Sequence, residues 1–131
     1  MERAVAVAPD SGEAQLALGL ALLDAGEANA AVDHLERSAQ LLANTGTFVA
    51  IGNAELSRGD EERAIAAYRR ALAWQPASFA ANLNLAEALR RRGDLAAAAA
   101  ALARARALYP HHPKLLAADE RLRRTQADAL D

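Results

Sequence analysis

His111 and His112, followed by Asp119 and Glu120, are the residues whose types most suggest a metal site. Their spacing argues against one. Adjacent histidines point in different directions, and no His-x-x-x-His pair exists to place two rings on one helical face. His34 stands alone, on a stretch expected to be an exposed helix face. The chain has no cysteine, so thiolate ligands, thiol nucleophiles and disulfides are excluded. It has no phosphate loop, no Gly-x-Ser-x-Gly, and no histidine and carboxylate at a spacing that suggests catalysis. No catalytic residue, metal or other cofactor is therefore expected. The remaining polar candidates suit recognition: the amides of Asn53 and Asn84, the carboxylate of Glu87, and the guanidinium groups of Arg90 and Arg91.

Charge sets further bounds. Fifteen basic residues face 17 acidic ones, for a net charge of −2 across 131 residues. That balance gives no support for a general nucleic-acid or anionic-membrane binder. No apolar run reaches the roughly 18–20 residues that span a bilayer. The opening "MERAVAVAPDSGEAQ" lacks the apolar core of a secretory signal. A cytoplasmic location is the expectation, with a periplasmic one if the chain is trimmed from a longer protein. Fourteen of the basic residues are arginine, a bias that suggests a GC-rich, bacterial genome.

The elements that hold these residues must be helices. The chain has 37 Ala and 20 Leu against 4 Val and 2 Ile, so helix formers dominate. They also recur at a fixed period. Gly26, Gly59 and Gly93 are 33 and 34 residues apart, as are Ala31, Ala64 and Ala98. Leu35, Tyr68 and Leu102 keep the same offsets, as do Leu18-Gly19, Ile51-Gly52 and Leu85-Ala86. A shared period across several residue types marks a repeat architecture. Each unit reads as two antiparallel helices, over about 12–25, 45–58 and 79–92, then about 28–42, 61–75 and 95–109. Gly26, Gly59 and Gly93 suit the left-handed residue that ends the first helix, and Asp60 and Asp94 the cap of the second. The small residues at 19, 52 and 86 let the helices approach, and Leu35, Tyr68 and Leu102 fill the space beside them.

On these residues the chain resembles the tetratricopeptide repeat family. In "TFVAIGNAELSRGDEERAIAAYRRALAWQP", Phe48 stands at the usual Trp position and Ile51-Gly52 at Leu-Gly. Ala64, Tyr68, Ala71 and Pro76 stand at Ala, Phe, Ala and Pro. Gln15 and Asn82 replace the Trp in the flanking repeats, and Glu55 replaces an aromatic. Glu55 either pairs with an arginine such as Arg58 or lies at the groove edge. The resemblance implies an all-α, right-handed α-solenoid of three helix-turn-helix repeats: residues 12–44, 45–78 and 79–112. A partial leading helix over 1–10 and a capping helix over 113–131 complete a single array. In the cap, Leu115, Leu116, Leu122 and Leu130 are expected to face the array, with Asp119, Glu120, Arg121, Arg123 and Arg124 outward.

The same resemblance places function on the concave face, lined by the first helix of each repeat. That face implies a non-catalytic scaffold binding a peptide or helix of a partner protein. Leu16, Leu20, Val49, Asn53, Leu56, Leu83, Asn84, Glu87, Arg90 and Arg91 are the expected contacts. Other readings remain open at this point. Leu16, Leu20 and Leu23 suit covering by a further repeat or another copy, which makes the array a self-assembly module through its ends. The incomplete leading repeat suits a targeting segment of a larger enzyme or secretion component. Asn84 suits a structural role, and Arg90–Arg92 suit the negative end of their own helix. One family function is rejected: the two-carboxylate clamp for chaperone tails. Its places hold Leu16, Leu20, Ala50, Ala80 and Asn84, with no clamp residue type in its place.

Overall fold

The computed structural model describes residues 11–130, and the leading helix expected over 1–10 lies outside the described residues. Among the described residues there are seven helices and no strand. They are α1 (Gly12–Asp24), α2 (Ala28–Leu41), α3 (Thr45–Ser57), α4 (Glu61–Trp74), α5 (Phe79–Arg92), α6 (Leu95–Leu108) and α7 (Pro113–Ala129). The helices α1, α3 and α5 are the first (A) helices of three hairpins; α2, α4 and α6 are their B partners.

Short polar side chains start most of the helices. Ser11, Asn44, Asp60 and Ser78 each accept a backbone N–H three residues ahead, at 2.9–3.1 Å. Asp94 holds the expected position before α6, but its side chain makes no capping bond. It lies 3.9 Å from Arg92 instead. His112 caps α7 through Nδ1, which accepts from the Lys114 N–H at 3.1 Å, and Pro113 follows in the first turn. Gly59 has φ +83°, and Gly26 and Gly93 are similar. That left-handed conformation lets the chain reverse between A and B helices at no Cβ cost.

Close approach within each hairpin sets the packing. A Cβ on Gly52 would sit 2.6 Å from Cδ1 of Tyr68, inside the ring's own space. Tyr68 is consequently fully buried with its ring against bare α3 backbone. Gly19 gives Leu35 the same access in the first hairpin. In the third, Ala86 lies opposite Leu102, which is 2 % exposed. Two core clusters form around these pairs, and Val49 and Leu72 pack against both. On α7, Leu115, Ala118 and Leu122 are buried at helical spacing. Leu116 and Leu130 do not face the array as expected. Leu116 lies about 100° round the helix from Leu115 and is 53 % exposed, and Leu130 at the helix end is 89 % exposed.

The seam at the usual Trp position is filled by polar substitutes with their own partners. Asn82, fully buried, donates to the Pro76 and Ser78 carbonyls and accepts from Arg104 Nε at 2.9 Å. The Arg70 guanidinium lies 4.5 Å from the centre of the Phe48 ring. Gln15 Oε1 is 2.8 Å from His34 Nδ1, so His34 is half-buried and engaged rather than exposed. Glu55 is 2 % exposed and takes Arg58 at 3.0 Å, which resolves its open pairing. Burial raises its carboxyl pKa, against the opposing pull of Arg58.

Two stability changes follow, both measurable by urea unfolding. Gly52→Ala forces the Tyr68 ring or the helix pair to shift and is expected to cost about 1–3 kcal/mol. Glu55→Leu installs the residue found at the equivalent positions 22 and 89 and removes a desolvated charge. Because Arg58 reaches solvent, no buried charge is stranded, and a gain of about 1 kcal/mol or more is expected.

Candidate partner-binding groove

Neighbouring A helices touch one another along the stack: α1 with α3, α3 with α5, and α5 with α7. The B helices make no such contact among themselves. A stack packed more tightly in one layer bends toward that layer, so the A helices form the inner, concave face. The capping helix α7 packs on both α5 and α6 and occupies the place of a further A helix. It therefore continues the concave face rather than only closing the core.

Along this face the repeat brings Leu20, Asn53, Glu87 and Arg121 into one register, at offsets of 33, 34 and 34 residues. The expected apolar contacts are unequally available. Leu20 is 42 % exposed. Leu16, Val49 and Leu56 are half-buried and pack against the core clusters. Leu83 is withdrawn into the core at 8 % exposure.

The polar centre is a linked group. Asn84 Nδ2 donates to Asn53 Oδ1 at 3.1 Å, and the Tyr68 hydroxyl donates to the same oxygen at 2.6 Å. Burial pushes the Tyr68 pKa up, which keeps the hydroxyl a donor. The shared acceptor fixes both amides. Asn53 keeps its NH2 group free of these bonds, and Asn84 keeps its Oδ1. Amide donors of Asn53 and the amide acceptor of Asn84 thus stay uncommitted on two half-buried residues, and these are the group types that pair with a peptide bond. Asn84 accordingly has a structural bond and a spare acceptor together.

Toward α7 the face becomes charged. Glu87 takes Arg90 at 2.6 Å, Arg91 at 2.9 Å and Arg121 at 3.3 Å. Arg90 also donates to Thr125 Oγ1 at 3.1 Å. These contacts tie α5 to α7. They give Arg90 and Arg91 side-chain partners, while Arg90, Arg91 and Arg92 all stand in the last turn of α5, near its negative end. Arg92 lies apart, 3.4 Å from Glu62. Arg121 reaches the groove rather than pointing away from it, and its offset of 34 from Glu87 is the signal in the sequence that finds it. Three guanidinium groups on one carboxylate leave the cluster cationic, suited to an acidic group.

Burial alone raises the Glu87 pKa, but hydrogen bonds from Arg90 and Arg91, with the charges of Arg90 and Arg121, hold it down to about 2. The unfolded carboxyl titrates near 4.5, so the unfolded chain binds more protons between those values. The contribution of Glu87 is fully present above about pH 4.5 and is lost as pH falls toward 2. Urea midpoints measured across that window are expected to fall with pH, and less steeply in Glu87→Gln.

Comparison with known proteins agrees with this architecture. A family profile described as tetratricopeptide repeat matches residues 1–44 and 49–113. No curated protein sequence matches the chain. Among solved structures, the Arabidopsis OM64 tetratricopeptide domain is similar with a TM-score of 0.81 at 23 % identity, over 86 % of this chain and 94 % of that one. The Yersinia enterocolitica type III secretion chaperone SycD, in complex with a peptide of the translocator YopD, aligns with a TM-score of 0.76 at 21 % identity. That alignment covers 90 % of this chain and 92 % of SycD. YrrB, a repeat protein with an unusual peptide-binding site, aligns at 0.79 and 21 % identity, over 84 % of this chain and 57 % of YrrB. With the profile spanning most of its length, this chain belongs to the tetratricopeptide repeat family and is a protein-interaction module built on that solenoid.

Proposed function

We propose that the concave face binds an extended or helical segment of a partner protein, without catalysis. The observation that carries this reading is the Asn53–Asn84 pair, whose shared bond leaves the Asn53 NH2 donors and the Asn84 Oδ1 acceptor uncommitted on half-buried residues. Such a pair bonds a ligand backbone irrespective of side chain. Leu16, Leu20, Val49 and Leu56 flank it on one side and can receive apolar side chains. Arg90, Arg91 and Arg121 flank it on the other and suit a carboxylate. Leu83 contributes shape more than contact. The peptide held by SycD and the peptide-binding site of YrrB support the same use of this fold.

A second reading has its own observation. Leu20 on α1 is 42 % exposed between half-buried Leu16 and Leu23, the three standing at i, i+4 and i+7 of one helix face, an apolar surface suited to another copy of the chain. Light scattering across a concentration series separates the two. An oligomer dispersed by Leu16→Glu with Leu20→Glu supports self-assembly.

For the groove, a displayed peptide library selected on the purified protein supplies a ligand whose affinity is then measured by calorimetry. Asn53→Ala with Asn84→Ala is expected to weaken that affinity about tenfold, the equivalent of one or two lost hydrogen bonds. Circular dichroism verifies that the variant remains folded. Unchanged affinity in a folded variant would rule the groove out as the binding site.

A further inference from the structure

The small net charge conceals an uneven distribution. Antiparallel hairpins stacked in register put like turns on like sides. The turns from each B helix to the next A helix therefore line one edge, formed by residues 37–48, 69–82 and 103–116. These segments contain Arg37, Arg69, Arg70, Arg104, Arg106 and Lys114, and the one carboxylate at their register is Glu36, the repeat equivalent of Arg69, just before the first segment. The segments at the opposite edge, 20–31, 53–65 and 87–98, hold eight carboxylates against five arginines. The molecule is polarised along its helix axes.

All six cations of the first edge are exposed. Arg106 meets Asp119 at 2.6 Å, while among the described residues the other five meet no carboxylate. The same edge carries Leu41, Trp74, Tyr109 and Leu116, at 56 %, 59 %, 59 % and 53 % exposure. Leu41 and Trp74 hold one position in successive repeats, 33 residues apart. Large apolar side chains exposed together at one edge mark an interaction surface.

We propose that this edge docks on an anionic lipid bilayer, with the protein adsorbed at the surface rather than inserted. Three turns in a row along one edge offer a contact that a plane can meet all at once. Trp74 and Tyr109 suit the headgroup region, where amphipathic rings concentrate. Leu41 and Leu116 give no stacking platform to a base but suit the acyl boundary. Arg37, Arg69 and Lys114 lack the partners that hold Arg70, Arg104 and Arg106 and would face lipid phosphates, each adding attraction to an anionic leaflet. No described helix is long and apolar enough to cross a membrane, so the contact is peripheral. Because the edge lies at the ends of the helices, the concave face stays open while the protein is adsorbed.

Trp74 is the sole tryptophan, so intrinsic fluorescence reports this edge directly. Vesicles of equimolar phosphatidylglycerol and phosphatidylcholine are expected to shift its emission to shorter wavelength and to co-sediment the protein. Vesicles of phosphatidylcholine alone are expected to do neither. Arg69→Glu with Lys114→Glu, both at exposed positions, is expected to lower partitioning about tenfold or more. Asn84→Ala, in the groove, is expected to leave it unchanged. The inference is overturned if the protein fails to co-sediment with the anionic vesicles. It is equally overturned if the double charge reversal leaves partitioning unchanged. A Trp74 response to polyglutamate or a single-stranded oligonucleotide, with none to vesicles, would assign the edge to that polymer instead.

Discussion

The contact of the Tyr68 ring with the bare backbone at Gly52 is the constraint on which the rest of this solenoid depends. Without a side chain at position 52, α3 and α4 close until the ring fills the gap between them. That distance then fixes where Asn53, the next residue on α3, meets the Tyr68 hydroxyl. Asn53 in turn fixes the Asn84 amide of the following A helix. A steric condition inside one hairpin thereby becomes a hydrogen-bonded condition between hairpins. Stability and the proposed recognition share these atoms, because a solenoid has no core separate from the surfaces it presents.

Polar groups in the seams follow a related logic. Gln15, Phe48 and Asn82 share one repeat position and find different partners: His34, Arg70 and the Pro76–Ser78 turn with Arg104. Among the described residues each buried polar group is satisfied locally, so the position tolerates changes of both size and chemistry. Glu55 departs further, as a desolvated carboxylate held by one neighbour. Its repeat equivalents are leucines, and the fold retains it because Arg58 reaches over from the next turn.

The helices were legible in the sequence because their signals are local. Gly26, Gly59 and Gly93 mark the reversals, and the apolar period marks the faces. The profile of the family and the solved structures agree on the fold. The candidate contacts were legible as positions but not as a network. The Asn53–Asn84 bond spans 31 residues and so runs off the 33–34 residue register that repeat reasoning follows. Glu87–Arg121 is in register, but α7 lacks the Leu-Gly signature and so did not read as a further A helix. Leu83 shares its repeat position with Leu16 and Val49, yet it alone of the three is buried, a difference the repeat register does not carry. Leu116 misled because leucine composition alone does not tell which side of α7 meets the array. Polarisation between the two edges was hidden by summing charge over the whole chain.

The register that runs Leu20, Asn53, Glu87, Arg121 has no symmetry between its ends. One end is aliphatic, the middle carries amides, and the other end is cationic. A segment lying along it would meet these surfaces in a fixed order, so the proposed groove would distinguish a sequence from its reverse. On the proposed reading such a face would act as a vector, setting which way a bound chain points. Whatever continues from either end of that chain would then be delivered to a predetermined side of the array.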